Sequence, residues 1–403
     1  MEPPLCYKCR SPLSPSGNCE YCQKSPLLLI FRRELFLLFV LCAVSAVLFL
    51  FTRSMAARNR SMNVQIATGW YEKGQQELKN HAVPDAINSF RKAATNDHDN
   101  SQYVLALATS LASAGRSDEA RQTLMQLRVA SPESGEINLE LARLSAKDGS
   151  TPEAIRYYHN ALYGVWPSNE LVAQRRSIRA ELIRFLLMSS DSKRALSELL
   201  ILSSDIPDTE QAHNEVGQMF FAAGDWRRAS EQFLATLRLN AENADALDGA
   251  GRSAFNVGDY KKASDYLGAA ISYGKKDVET SDRLETARLV LMGDPLAPRL
   301  SSDERVRRLL TDLDSASEAL QACASDAQGD ADRSALHDVL MELAEGKNSR
   351  YRPADLKRDA DEFRAALTLI YRIELMAEHI CHESSARHRA FLLIAQRNGL
   401  AEQ

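Results

Sequence analysis

Along the middle of the chain, apolar residues recur at helical spacing in a register that itself repeats. Alanines stand at Ala86, Ala120, Ala154, Ala195, Ala229 and Ala263, 34 residues apart in every step but one, and that step is seven longer. Twelve residues before each alanine is a small or aliphatic residue: Gly74, Ala108, Ala142, Ile183, Gly217 and Gly251. Four residues after each alanine is a large one: Phe90, Leu124, Tyr158, Leu199, Phe233 and Leu267. Small and large residues one turn apart form the stripe by which neighbouring helices interlock, so the pattern predicts stacked helical hairpins. Between the two helices of a unit stand Gly115, Gly149, Ser190, Gly224 and Gly258, where a first helix must end and reverse. Pro132, Pro167 and Pro207 close repeats two, three and four.

This combination of small residue, glycine, alanine, large residue and proline, with Trp70 in the first unit, resembles the tetratricopeptide repeat. The resemblance spans residues 67–277 as six units, the fourth preceded by an insertion around residues 169–175. It implies an all-α fold, a superhelix of helical hairpins whose concave face, lined by first helices, takes up peptides or helices of other proteins. The register nominates Tyr71, Gln75, Leu105, Thr109, Leu139, Arg143, Arg184, Asn214, Gln218, Asp248 and Arg252 for that lining. The lining is mixed in chemistry, and it lacks the full set of basic residues and asparagine that a clamp for a C-terminal carboxylate needs.

Two further features precede the repeats. Cys6, Cys9, Cys19 and Cys22 form C-x2-C-x9-C-x2-C, the spacing of a closed four-thiolate site, among turn formers such as Pro12, Pro15, Gly17 and Asn18. Residues 1–26 therefore resemble a minimal zinc ribbon that folds around structural Zn2+. A pair of disulfides or a rubredoxin-like iron site are the alternatives. Residues 35–52 then run without a charge, long enough for one transmembrane helix. A cleaved signal peptide is disfavoured by the long metal-binding segment before it, and bulky Leu41 disfavours lipidation of Cys42. Lys8, Arg10, Lys24, Arg32 and Arg33 precede the span, against Arg53, Arg58 and Arg60 after it. The bias places the N-terminus in the cytosol and the repeat arm outside the cytoplasmic membrane, in the periplasm or its equivalent.

After the break at Asp294-Pro295 and Pro298 the repeat register is lost, and residues 294–403 read as a helical bundle that caps the array. A capping box at Ser301 and Glu304 opens a helix to about residue 324; further helices are expected over 332–345, 354–382 and 385–397. Cys323 and Cys381 would lie on the oxidising side, as a disulfide or as two separate thiols.

Charge narrows the functional classes. With 49 basic and 54 acidic residues dispersed along the chain and a net charge of -5, the repeat arm carries no nucleic-acid footprint. No phosphate-binding glycine loop or nucleophile elbow occurs. His379, Cys381, His382 and His388 crowd one helix end without a haem-attachment or metalloprotease pattern. The reading is of a non-enzymatic, membrane-anchored scaffold or adaptor that binds other proteins. By analogy with bacterial zinc-ribbon and tetratricopeptide-repeat proteins it serves envelope assembly, secretion or quality control. The alternatives are a transmembrane sensor signalling through the ribbon and a redox accessory subunit.

Overall fold

The computed structural model describes residues 3–23, 26–167, 171–322, 330–382 and 384–400. It is helical throughout; among the described residues β-structure is limited to two isolated bridges, Leu5 with Pro12 and Ser134 with Val165. The chain divides into two compact units, residues 1–166 and 167–403.

In the first unit, α1 (Glu20–Gln23) follows the second cysteine knuckle, and α2 (Pro26–Lys79) runs unbroken for 54 residues. The apolar run lies in its first half; residues 31–62 are exposed, and Arg60 near the end of that stretch reaches Asp99 at 3.2 Å. The last turns of α2, from Ala67 onward, pack on α3 (Val83–Asn96) as the first hairpin. Two more hairpins follow: α4 (Ser101–Ser113) with α5 (Ser117–Ala130), and α6 (Gly135–Lys147) with α7 (Thr151–Tyr163). Trp166 ends the unit, buried over Gly135, its indole N–H donating to the Ala161 carbonyl at 2.8 Å.

The second unit repeats the plan in α8 (Leu171–Met188) with α9 (Ser192–Ser203), α10 (Glu210–Ala222) with α11 (Trp226–Leu239), and α12 (Ala244–Val257) with α13 (Tyr260–Ser272). Residues 171–175 of the expected insertion are the first turns of α8, which runs 18 residues where its counterparts α10 and α12 run 13 and 14.

The alanine register is explained by packing. All six alanines are completely buried, and the large residues four positions on are at most 2% exposed. A Cβ added to Gly74 would meet the Phe90 ring at 2.7 Å, one on Gly217 the Phe233 ring at 2.9 Å, and one on Gly251 the Leu267 Cγ at 2.6 Å. The small residue of the first helix is therefore the socket for the large residue of the second, and only a small or well-fitted side chain fits there.

Beyond the sixth hairpin, α14 (Val278–Gly293) continues to pack on α13, then α15 (Ser302–Ala322), α16 (Asp330–Glu345), α17 (Pro353–Arg358), α18 (Ala360–Cys381) and α19 (Ala386–Arg397) complete the bundle. The expected single helix over 354–382 is in fact two. Asp359 is extended (φ -111°, ψ 108°), and its carboxylate accepts from the amides of Asp361 and Glu362, so it caps α18 and ends α17. The capping box at Ser301 is half formed: Ser301 Oγ accepts from the Glu304 amide, while the Glu304 carboxylate turns to Arg307 and Arg308. One apolar core runs from Ala263 and Leu267 of the last hairpin through Leu284 and Val290 of α14 to Leu309, Ile370 and Ile394. The bundle shares this core with the sixth hairpin.

Candidate functional site

Three places concentrate chemistry. At the N-terminus the four cysteine ligand atoms all lie within 4.8 Å of one another. The first knuckle turns back through Arg10, in the left-handed region at φ 59°, with its amide donating to the Cys6 carbonyl at 2.8 Å. The second opens α1, where the Gln23 amide donates to the Cys19 carbonyl at 2.9 Å. Sγ separations are 3.3 Å for Cys9 and Cys19, 3.5 Å for Cys9 and Cys22, and 3.9 Å for Cys6 and Cys22. A disulfide needs about 2.05 Å, so these four are free thiols. Zn–S bonds of about 2.3 Å in a tetrahedron set their ligands about 3.8 Å apart, close to what is found. The donor set and spacing thus fit a tetrahedral metal. The Ser11 amide and hydroxyl lower Cys9 to about 6, whereas hydrogen bonding to Cys9 is the first cause that raises Cys22 to about 12. Clustered thiols resist joint ionisation without a cation among them.

The nominated groove residues fall into two groups. In the first unit Tyr71 is half-buried between the rings of Phe90 (5.6 Å) and Tyr103 (5.0 Å), a packing role. Leu139 is likewise buried and Leu105 half-buried; Thr109 bonds its own helix at the Ala106 carbonyl; Gln75 is exposed, as is Arg143, which pairs with Glu140 at 2.6 Å.

In the second unit the nominees make separate contacts. Arg184 on α8 reaches Glu215 on α10 across a half-open cleft of about 440 Å³, walled by Ala173, Ser177 and Ala180 on one side and Ala212 on the other. Asn214 is half-buried, and its Oδ1 has no partner among the described residues. On α12, Arg252 lies over the Phe221 ring at 4.3 Å and 3.4 Å from Asp248, yet its Nε is buried without a hydrogen-bond partner among the described residues. Buried Asp248 accepts from the Thr280 hydroxyl at 2.7 Å. Gln218 is exposed on α10.

In the third place, inside the bundle, the sequence singled out His388 but not its partners. His388 and Glu374 are both buried and joined Nδ1 to Oε2 at 2.7 Å, and Asp312 is buried nearby. Loss of solvation pushes Asp312 up to about 7, against the pull of Arg308 and Arg387 and with the push of Asp294 and Glu374. An aspartate on an apolar stripe, Leu309-x-x-Asp312-Leu313-x-x-Ala316, was the available signal. The other histidines do not join this pair in a cluster. His379 is exposed and 3.7 Å from Asp332, and His382 ends α18 in the left-handed region. Cys323 and the side chain of Cys381 lie outside the described residues, and so does their expected pairing.

Comparison with known proteins agrees with the repeat packing. The sequence model of the tetratricopeptide repeat family matches residues 71–134, 105–170 and 217–277. Among solved structures the chain is similar to YrrB, described as a tetratricopeptide repeat protein with an unusual peptide-binding site, at 18% identity over 48% of this chain and 95% of that one, TM-score 0.39. It is also similar to pilF of Pseudomonas aeruginosa, at 14% identity over 55% and 97% of the two chains, TM-score 0.40. A third is PilW, described as a type IV pilus biogenesis factor, at 18% over 54% and 97%, TM-score 0.40. No curated protein sequence matches.

Proposed function

We propose that this chain, which carries tetratricopeptide repeats, is a membrane-anchored adaptor whose first helices α8, α10 and α12 form a groove for an extended segment of a partner protein. One observation carries the reading. Asn214 Oδ1 and Arg252 Nε, on successive first helices, are covered yet have no hydrogen-bond partner among the described residues, and a small turn of either half-buried side chain brings the first to a peptide N–H and the second to a peptide carbonyl. The anchor is the apolar half of α2, one helix long and apolar enough to cross a membrane. By the charge bias of its flanks the N-terminus lies in the cytosol and the arm outside, in the periplasm or an equivalent space. The four cysteines hold structural Zn2+ on the cytosolic side, and the partners of the arm belong to envelope assembly, secretion or quality control.

The test is site-specific photocrosslinking of the full chain in its native membrane. A photoreactive side chain at Gln218 is expected to give discrete crosslinked species that disappear in Asn214→Ala and Arg252→Gln. Crosslinks that persist in both variants would sink the groove reading, and the thermal melt of each variant separates lost binding from lost fold.

A further inference from the structure

The bundle holds a second cleft, outside the repeats, whose charged walls are all of one sign. It encloses about 340 Å³ between the first turn of α15, the short α17, the first two turns of α18 and the chain beyond α19. Its floor is apolar, with Leu356 and Leu367 buried and Phe363 half-buried. Arg305, Lys357, Arg358 and Arg364 line it, and no acidic residue does. Lys357 is answered by Asp303. The side chains of Arg305, Arg358 and Arg364 are exposed and make no ion pair or hydrogen bond with any described residue.

Elsewhere in the bundle Arg307 and Arg308 share Glu304, Arg372 takes Glu342 and Arg389 takes Asp282, while Arg350 and Arg387 have no ion pair among the described residues and line no part of this cleft. Of the neighbouring carboxylates, Asp359 caps α18 and Asp355 lies 4.0 Å from Arg352, whereas Asp361 and Glu362 pair with none of the three arginines and do not line the cleft. Three guanidinium groups on three different helices, around a shared apolar floor, complement a ligand with more than one carboxylate and an apolar centre. Each planar fork prefers a carboxylate in bidentate contact, and a recess with walls of a single charge focuses attraction on an anion. A lipid offers one headgroup on long chains, too few anionic groups for the rim and too much apolar length for a floor of three side chains.

We propose that this cleft docks a short acidic-apolar peptide segment of a partner protein, one apolar side chain on Phe363 and its neighbours and flanking carboxylates on Arg305, Arg358 and Arg364. The site is independent of the repeat groove and stands or falls separately from it.

The experiment uses the full chain in zwitterionic lipid nanodiscs and a fluorescein-labelled Asp-Glu-Leu-Phe-Glu-Asp peptide followed by anisotropy. Saturable binding is expected, weakened by salt and weakened tenfold or more when Asn and Gln replace the peptide's acids. The joint variant Arg305→Gln, Arg358→Gln, Arg364→Gln should lose tenfold or more with an unchanged melt, and the matching lysine variant should fall between. Phe363→Ala should weaken binding with the charges intact. Absence of saturable binding, or binding indifferent to the three arginines, overturns the proposal. So does arginine-dependent sedimentation with phosphatidylglycerol vesicles in place of peptide binding, which would assign the cleft to a membrane surface.

Discussion

At Ser190 the chain turns between α8 and α9 with φ 59°, in the region where the equivalent positions are Gly115, Gly149, Gly224 and Gly258 at 75° to 85°. A side chain there costs about 1 kcal/mol that glycine does not incur. Ser190→Gly is therefore expected to stabilise the second unit by up to about 1 kcal/mol, and Gly224→Ala to destabilise it by a similar amount, read from denaturation midpoints. Asp312 sets a pH dependence. Its folded value, near 7, lies above its value in the unfolded chain, so between about pH 4 and 7 the unfolded state releases a proton that the folded state keeps. Stability falls as pH rises through that window, and the loss is complete above it. Asp312→Asn should flatten the profile and raise stability at pH 8 by roughly 2 kcal/mol, a tenfold change in proton affinity being worth about 1.4 kcal/mol; equal wild-type melts at pH 5 and pH 8 would contradict this. Neither effect was legible in composition, because the burial of Asp312 is imposed by α14, α18 and α19 and not by its own helix.

At the scale of elements, helix ends are where local chemistry decided most. Second helices of the last three hairpins start at Asp191, Asp225 and Asp259, each accepting from the amide three residues on, whereas Ala82, Arg116 and Ser150 make no such bond in the first three. Asp225→Ala is expected to cost about 1 kcal/mol, and Arg116→Asp to gain a similar amount, both measured by thermal melts. The hairpin boundaries followed from the small-large register because each helix pairs with its neighbour in sequence. The division at Asp359 did not, since 354–382 keeps helical spacing and only the cap geometry shows that the backbone leaves the helix. If the four cysteines hold zinc as proposed, Cys9→Ser removes it, read by metal analysis, and makes residues 3–23 sensitive to protease while the repeats keep their melt, because a segment with so few apolar contacts would have little but a metal to order it.

For the whole chain, α2 runs without interruption from the apolar span to the first hairpin, so the two share one rigid helix with no linker. About 15 residues separate the end of the apolar run from the first packed turn, or roughly 22 Å at 1.5 Å per residue. Ala57→Pro should break this stalk, costing about 3 kcal/mol of local helix stability and opening residues 53–66 to hydrogen exchange; amides there as protected as in the wild type would refute the rigid connection. At the other end, α14 extends the hairpin packing into the bundle. No glycine or alanine register announced it, because α14 packs through Leu284, Ala287 and Val290 on both α13 and α19.

What the amino-acid order determined by itself is what repeats or is local: the hairpin register, the buried alanines, the charge-free span and the spacing of four cysteines. Each rests on contacts between residues near in sequence or on a fixed helical period. Tertiary structure alone decided which polar groups lose their water and which charges remain unanswered: Asp312 in the bundle, Asn214 and Arg252 on α10 and α12, three arginines around an apolar cleft. Burial and pairing are properties of surfaces from several helices meeting, and no window along the chain contains them.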